Sequence, residues 1–142
     1  MTATALMIMT NNIALDTNVL IYLHDNSDLN KRAIAKDLLS DNPYISTQVI
    51  SEYLNVTRRL LPLSKDELLV QASNLLAGCT IIPVLPNTLV FAAALVKKYD
   101  FQLFDSVIVA AALENDCAIL YSEDMHHGLI VEKTLTIINP YL

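Results

Sequence analysis

Four acidic side chains stand at positions where a folded chain could use them for chemistry. Asp16 directly follows the short apolar run Asn12–Leu15, and Asp124 lies three residues beyond a second such run. Asp105 precedes an apolar helical segment by one residue, which places it in the first turn, where the helix dipole favours a carboxylate. Glu52 interrupts an otherwise apolar helical pattern, and burial of an unpaired carboxylate is costly. Position alone therefore marks these four acids as candidates.

Each acid also has a structural explanation when it is taken singly. Asp16 and Asp105 are suitable helix caps, and Asp124 is suitable for a turn. Glu52 could face solvent beside Arg59, which is itself a candidate for neutralising a substrate phosphate. The four acids together are more specific than any one of them, provided that the fold brings them to one place.

The order of the predicted strands and helices indicates that the fold brings the four acids to one place. Short β-branched or aliphatic runs alternate with longer helical patterns, which is typical of an α/β three-layer sandwich around a mostly parallel sheet of four to five short strands. In such sheets ligand sites lie beyond the carboxyl ends of the strands. Strands are predicted at Asn12–Leu15, Tyr44–Ser46, Thr80–Val84, Ala118–Tyr121 and Thr134–Ile138. Helices are predicted at Asn18–Leu23, at Lys31–Leu39, from a cap at Thr47 to about Leu60, from the Ser64–Glu67 capping box to Gly78, from Asn87 or Thr88 with Leu89, Ala92, Ala93 and Val96 inward, and at Ser106–Leu113.

Four carboxylates on one edge of a sheet would repel one another and raise each other's pKa. A hard divalent cation removes that repulsion, because Mg²⁺ and Mn²⁺ prefer oxygen ligands and bind through a few carboxylates plus substrate phosphate. A metal held in this way activates water and neutralises charge that develops on phosphorus. The residues thus predict a metal-dependent phosphodiester hydrolase.

Composition excludes two other ways of binding phosphate. The 142-residue chain contains two glycines, Gly78 and Gly128, so neither a dinucleotide fingerprint nor a P-loop can be built. The formal net charge is −6, whereas proteins that hold nucleic acid mainly by neutralising phosphates are usually basic. Any nucleic-acid role must then depend on a local basic patch, a bound cation or a partner.

The remaining sequence features favour a reducing, cytoplasmic location. Cys79 and Cys117 adjoin apolar runs and are predicted to be buried free thiols. No basic residue precedes the apolar stretch Ala5–Met9, so no signal peptide is expected. The uncharged span Leu68–Val96 contains prolines and polar residues and changes periodicity midway, which argues against a membrane segment. His126, which follows Asp124, is expected with His127 in an exposed turn that ends at Gly128.

Four ordered segments carry a resemblance to a known family. They are Ala14–Tyr22, Ile45–Glu52, Phe104–Ala112 and Ile119–Met125, and the ending Ile138–Tyr141 adds to them. With these segments the sequence resembles the PIN-domain ribonucleases, and in particular the VapC-type toxins of bacterial toxin–antitoxin pairs. The match runs from about Ile13 to the C-terminus. One PIN-like domain over residues 1–142 is therefore predicted, with residues 1–11 as an N-terminal extension.

The resemblance implies a function and a set of site residues. It implies cleavage of single-stranded or loop RNA with Mg²⁺ or Mn²⁺, homodimerisation and inhibition by a cognate antitoxin. Asn18 would orient the first acid or a metal-bound water, and Ser122 matches a small hydroxyl residue near the fourth acid. The residues implied as metal-binding or catalytic are Asp16, Glu52, Asp105 and Asp124.

Two alternatives from other functional classes stay open. An aspartate-based phosphatase or phosphotransferase would have a similar acid pocket, although no second aspartate follows Asp16 two residues later and no lysine lies near Tyr121. A non-catalytic PIN-like interaction protein would use the acids only to hold a structural cation. For a partner or a second copy, the apolar residues at Ile21–Leu23, Tyr53–Leu54 and Leu60–Leu61 would supply a groove or a dimer face.

Overall fold

The computed structural model describes residues 11–142 of the chain. The predicted N-terminal extension at residues 1–11 lies outside the described residues, except for Asn11. No helix in the described part of the chain combines the length and the apolar character needed to cross a membrane.

A twisted sheet of short strands forms the centre of the molecule. The strand order is β3-β2-β1-β4-β6-β5, and every neighbouring pair is parallel except β5 with β6. The predicted α/β class with a mostly parallel central sheet is confirmed, but residues 11–142 contain six strands, more than the four to five predicted. The additional strand, β5, has two residues, too few for any periodicity to be visible in the sequence. The strands are β1 (Ile13–Leu15), β2 (Tyr44–Ser46), β3 (Thr80–Ile82), β4 (Ile119–Tyr121), β5 (Ile130–Val131) and β6 (Leu135–Ile138).

Helices connect β1 to β2, β2 to β3 and β3 to β4, as crossovers between parallel strands usually do, whereas β4 is joined to its parallel neighbour β6 through β5. A 3₁₀ turn at Tyr22–His24 extends the first of them. The helices are α1 (Thr17–Ile21), α2 (Leu29–Leu39), α3 (Thr47–Leu60), α4 (Lys65–Leu76), α5 (Pro86–Tyr99) and α6 (Leu103–Glu114).

Local hydrogen bonds explain where the helices begin. The predicted capping box of Ser64 and Glu67 is present at the start of α4. The predicted cap at Thr47 is wrong: the Ser46 hydroxyl accepts from the backbone N–H of Val49, while the Thr47 hydroxyl accepts from the N–H of Val84. Both residues can cap, and the sequence alone could not show that Thr47 would be needed by a loop 37 positions away.

The helix predicted from Asn87 or Thr88 begins earlier, at Pro86, whose fixed φ suits the first helical position. Two of its predicted inward residues are also wrong, because Leu89 and Ala93 are exposed. The buried side chains of α5 are Thr88, Ala92 and Leu95.

The most deeply buried helix is α6, which packs against α5, α3 and β2. Its segment Ser106–Ala112 is buried throughout, as its uniformly apolar sequence predicts. Small alanine side chains allow the neighbouring elements to approach the helix closely. The two cysteines are free: Cys117 is buried as predicted, but Cys79 is only half-buried.

We expect Ala110→Leu to lower the free energy of unfolding by about 1–3 kcal/mol, because Ala110 is fully buried in α6 and the added carbons have no space. Chemical denaturation measures this change. The matched control is Ala93→Leu on the exposed side of α5, where a change within about 0.5 kcal/mol is expected. Equal losses from both substitutions would contradict the packing described for α6.

Candidate active site

The register between β1 and β4 places the first acid of the site. Leu15 pairs with Tyr121, so Asp16 and Ser122 leave the sheet side by side, and the Asp16 N–H donates to the Tyr121 carbonyl at 2.9 Å. The Ser122 hydroxyl then donates to Asp16 Oδ2 at 2.7 Å. Ser122 is fully buried and Asp16 is only 4% exposed. The sheet itself therefore fixes this carboxylate.

Two further donors complete the hydrogen bonds of Asp16. The Thr17 N–H donates to Oδ1 at 2.7 Å, and the Asn18 side-chain amide donates to Oδ2 at 3.2 Å. Both come from the start of α1, which begins directly after the strand. The buried carboxylate is thus held by one backbone and two side-chain donors.

Asn18 also reaches the fourth acid. Its Nδ2 atom lies 3.2 Å from Asp124 Oδ2, and its Oδ1 atom accepts from the backbone N–H of Glu123 at 3.1 Å. The side chain therefore connects the end of β1 to the loop after β4. This placement is compatible with the orienting role predicted for Asn18.

Thr17 has a contact that the sequence analysis did not anticipate. Its hydroxyl donates to Glu52 Oε1 at 3.3 Å, which links α1 to α3 and directs the Glu52 carboxylate toward the end of β1. Glu52 is half-buried, so it does not simply face solvent. The only available signal was the position of this hydroxyl residue beside Asp16, and such residues occur at many helix starts.

Asp105 lies in the first turn of α6, as predicted, and is half-buried. Its charge acts on Asp16 and Glu52, and the charge of Asp124 acts on Asp105 in turn. The structure therefore brings all four predicted acids to one edge of the sheet, where Asp16, Glu52 and Asp105 each feel the charge of at least one other acid.

Burial and repulsion by neighbouring acids both oppose ionisation of Asp16, Glu52 and Asp105. Burial raises the pKa of Asp16 to about 6; the hydrogen bonds from Ser122 and Thr17 limit the rise, and the charges of Asp105 and Glu52 add to it. Burial is also the main reason that the pKa values of Glu52 and Asp105 are raised. Clustered carboxylates with raised pKa values are a frequent feature of functional sites.

No basic side chain in the described part of the chain forms an ion pair with the four acids. The ion pairs of residues 11–142 join Lys31 to Glu123 and Lys98 to Glu132. Arg59 does not pair with Glu52; its Nε donates to the carbonyl of Asn55 at 3.3 Å. Within residues 11–142, therefore, no cationic side chain neutralises the cluster by an ion pair.

The donor chemistry fits a hard divalent cation. The acids supply oxygen ligands, and a cation would relieve the repulsion between them. Within residues 11–142, however, no three acid, histidine or cysteine side chains already converge closely enough to form a ligand cage. An ion that binds here would have to draw the carboxylates together or be completed by water and substrate oxygens.

Two clefts flank the acids, and Asp124 lines both of them. The larger, which we call the Ile21 cleft, has a volume of about 460 Å³ and includes Glu52. The smaller, the Phe101 cleft, has a volume of about 300 Å³ and includes Asp105. The Ile21 cleft is lined by Thr17, Asn18, Ile21, Tyr22, Glu52, Val56, Glu123 and Asp124.

A fifth acid near the cluster, Glu123, is neutralised. Its carboxylate accepts from Lys31 Nζ and from the Tyr22 hydroxyl, both at 2.6 Å. The Lys31 ammonium lies 4.7 Å from the centroid of the Tyr22 ring and 5.2 Å from that of Tyr141. Glu123 is therefore a structural residue at the rim of the Ile21 cleft.

His126 and His127 are exposed before Gly128, as predicted.

Comparison with known proteins gives a family and a fold. Residues 13–128 match the family model described as PIN domain. A toxin–antitoxin complex from Klebsiella pneumoniae is similar in structure, with a TM-score of 0.69 at 20% identity over 92% of this chain and 98% of that chain. VapC20 of Mycobacterium tuberculosis, described as a sarcin–ricin loop cleaving toxin, gives 0.64 at 18% identity over 80% and 90%. FitAcB from Neisseria gonorrhoeae gives 0.64 at 18% identity over 91% and 98%. No curated protein matches the sequence.

We expect the stability of the metal-free protein to depend on pH through Asp16. Its pKa is about 6 in the folded chain against an ordinary value of 3.8, so its favourable contribution is complete below pH 3.8 and is lost as the pH rises through 6. Since one pKa unit corresponds to about 1.4 kcal/mol, the loss is about 3 kcal/mol. Denaturation at pH 4 and pH 7 in the presence of a chelator should show wild type losing stability relative to Asp16→Asn.

The control for this measurement is Asp41→Asn, which removes one exposed charge outside the cluster. Its stability should change with pH in parallel with that of wild type. If the stability of Asp16→Asn changed with pH in the same way as that of wild type, the raised pKa of Asp16 would be disproved.

Proposed function

Since the chain belongs to the PIN domain family, we propose that it is a metal-dependent endoribonuclease and the toxin of a toxin–antitoxin pair. The observation that carries this proposal is the group of four carboxylates around buried Asp16, none of which has a basic partner in the described residues. A site of that kind is unfavourable in the empty protein and becomes favourable when a cation and a phosphate are added.

In this proposal the carboxylates of Asp16, Asp105, Asp124 and Glu52 hold Mg²⁺ or Mn²⁺. The bound ion supplies neutralisation of the phosphate charge and activation of water. Ser122 and the Thr17 N–H hold Asp16 in one orientation, and the Thr17 hydroxyl does the same for Glu52. Asn18 keeps Asp124 beside Asp16. Outer partners of this kind orient metal ligands and tune their basicity.

RNA is the proposed substrate, single-stranded or in a loop. VapC20, which shares the fold, is described as a toxin that cleaves the sarcin–ricin loop. The site is open on two sides because the acids separate two clefts, which suits a strand that continues past the cleaved bond. RNA as the substrate would place the activity in the cytoplasm. Arg59 stays a candidate for contacting a phosphate, since its exposed side chain forms no ion pair in the described chain.

The geometry gives less support to a phosphorylated aspartate. Both Asp16 oxygens already accept hydrogen bonds, and the side chain is almost completely buried. A phosphorus atom would have to displace those donors to reach it. A non-catalytic role with a structural cation requires the same four acids and is separated from the nuclease by the activity measurement below.

We expect purified protein to cleave RNA only when Mg²⁺ or Mn²⁺ is added. Asp16→Asn and Asp105→Asn should lower kcat/KM by about 100-fold or more, the scale of one electrostatic contact to a transition state. Ser122→Ala should lower it about 10- to 100-fold, because Asp16 loses an orienting donor. Gel-resolved cleavage of mixed RNAs, with circular dichroism to verify folding, makes the measurement.

The matched control is Asp116→Asn, at the opposite end of α6 from Asp105. Asp116 has a positive φ of 56°, a conformation that asparagine tolerates, so the variant should fold and cleave like wild type. Cleavage that survives Asp105→Asn would disprove the assignment, and metal binding without cleavage of any RNA would favour the structural-cation alternative.

The proposed antitoxin would bind in the Ile21 cleft. Ile21 and Val56 give this cleft an aliphatic wall directly beside Glu52 and Asp124, so a bound segment would cover the acids. One structural neighbour, from Klebsiella pneumoniae, is described as a toxin–antitoxin complex. Homodimerisation stays a prediction; Leu85, Leu89 and Val90 at the start of α5 are all more than half exposed and form an apolar strip that a second copy would cover.

We expect Val56→Asp to weaken antitoxin binding about 10-fold or more in Kd, because it places a charge against the apolar wall. The chain would be co-expressed with a small DNA-binding protein encoded by a neighbouring reading frame, and the pair would be co-purified. Val70→Asp is the control, since Val70 is exposed on α4 and lines a different depression. Equal retention of the partner by both variants would place the antitoxin elsewhere.

A further inference from the structure

The Phe101 cleft is not used by the catalytic arrangement described above, although it opens directly beside it. Asp105 and Asp124 form its wall on the side of the site. Its remaining wall includes Tyr99, Phe101 and Gln102, which come from the end of α5 and the start of α6. Its volume of about 300 Å³ is at the lower limit of small-molecule sites.

The aromatic wall of this cleft is held rigidly. Phe101 is half-buried, packs against the hydrophobic core and lies 5.6 Å from the Tyr99 ring, centroid to centroid. Tyr99 is itself fixed, because its hydroxyl donates to the Glu132 carboxylate and accepts from the Glu132 N–H, both at 2.9 Å. A ring supported from behind in this way loses little freedom when a flat ligand stacks on it.

Gln102 supplies an unused polar group in the same wall. It occupies the N-cap position of α6, where serine, threonine, aspartate and asparagine are preferred, yet its side chain makes no capping hydrogen bond. The residue is exposed and its side chain has no hydrogen-bond partner within residues 11–142, so its amide can donate two hydrogen bonds to a ligand and accept others.

The chemistry of the cleft selects an uncharged, flat ligand. The carboxylates of Asp105 and Asp124 repel a phosphate that has no cation, whereas an aromatic ring and an amide suit a nucleobase. The Ile21 cleft on the other side of the acids is lined by Ile21 and Val56, and its one aromatic ring, that of Tyr22, already contacts Lys31. The two clefts therefore differ in the ligands that they suit.

We propose that the Phe101 cleft binds a nucleobase of the RNA substrate next to the cleaved phosphate, with the base stacked on Phe101 and its edge hydrogen-bonded to the Gln102 amide. This inference rests on the proposed ribonuclease function and adds a site of base selection to it. The sequence contains no aromatic-rich strand that predicts a stacking surface; the aromatic side chains come from the connection between two helices, where no pattern marks them.

Because the chain contains no tryptophan, Phe101→Trp introduces a single fluorescent reporter into the cleft. Free nucleosides, titrated in the presence of a chelator, should quench its emission, because they carry a base and no phosphate that the metal-free acids would repel. Ribose, which lacks the base, should quench it several-fold less. Leu69→Trp on the exposed surface of α4 is the control and should show little quenching with either probe.

RNA cleavage gives a second test, in which the aromatic ring of Phe101 is removed. Phe101→Leu retains apolar packing and should raise KM for RNA roughly 5- to 150-fold, the range measured for loss of base stacking, and should change the base preference beside the cut. Phe104→Leu, three residues further along and exposed outside the cleft, should leave both unchanged. Gln102→Ala should alter base preference more than the overall rate.

The outcomes separate this inference from the proposed function. Metal-dependent cleavage with equal quenching of both reporters, or with unchanged KM and base preference in Phe101→Leu, would overturn the base site and leave the ribonuclease intact. Quenching that ribose alone reproduces would also overturn it. Base-dependent quenching at Phe101→Trp in a protein that cleaves no RNA would support the base site and reject the nuclease.

Discussion

The architecture of the site depends on keeping one carboxylate, that of Asp16, inside the protein. Removing a carboxylate from water is costly, and two neighbouring acids add to the cost. The chain offsets it with donors that converge on both oxygens, from Thr17, Asn18 and Ser122. Each donor is held by a regular element: Thr17 and Asn18 by α1, and Ser122 by the alignment of β1 with β4. The remaining acids are arranged around this fixed point.

The position of Asp105 constrains the amino-acid composition of the rest of its helix, at a distance from the site. Its helix, α6, reaches the edge of the sheet only by passing through the core, where it is surrounded by α5, α3 and β2. A helix in that position needs small or apolar side chains on all sides, and the buried segment Ser106–Ala112 provides them. Hydrophobic residues make up 54% of the chain, and this high fraction is partly a consequence of the position that Asp105 must occupy.

The sequence predicted the general arrangement well because its signals are local. Asp16 follows a strand, Asp105 begins an apolar helix, and these relations hold whatever the tertiary detail. It predicted less where two residues compete for one role or where a contact joins distant segments. Thr47 is a suitable capping residue, but its hydroxyl instead accepts a hydrogen bond from the N–H of Val84 in a distant loop. Thr17 contacts Glu52, which lies 35 positions further along the chain, and no spacing in the sequence predicts that contact. The helix α5 carries apolar residues at helical spacing on two faces, and only one of these faces packs on the core. Periodicity alone could not show that Leu89 lies on the exposed face.

The amide of Asn18 donates to carboxylates from two different parts of the chain, Asp16 and Asp124, at the same distance of 3.2 Å. One group that serves two acceptors makes their energies interdependent, so substitutions at the two acids would not add. The loss of either carboxylate frees the amide to strengthen its bond to the other. The second of these acids is therefore held more firmly once the first is gone.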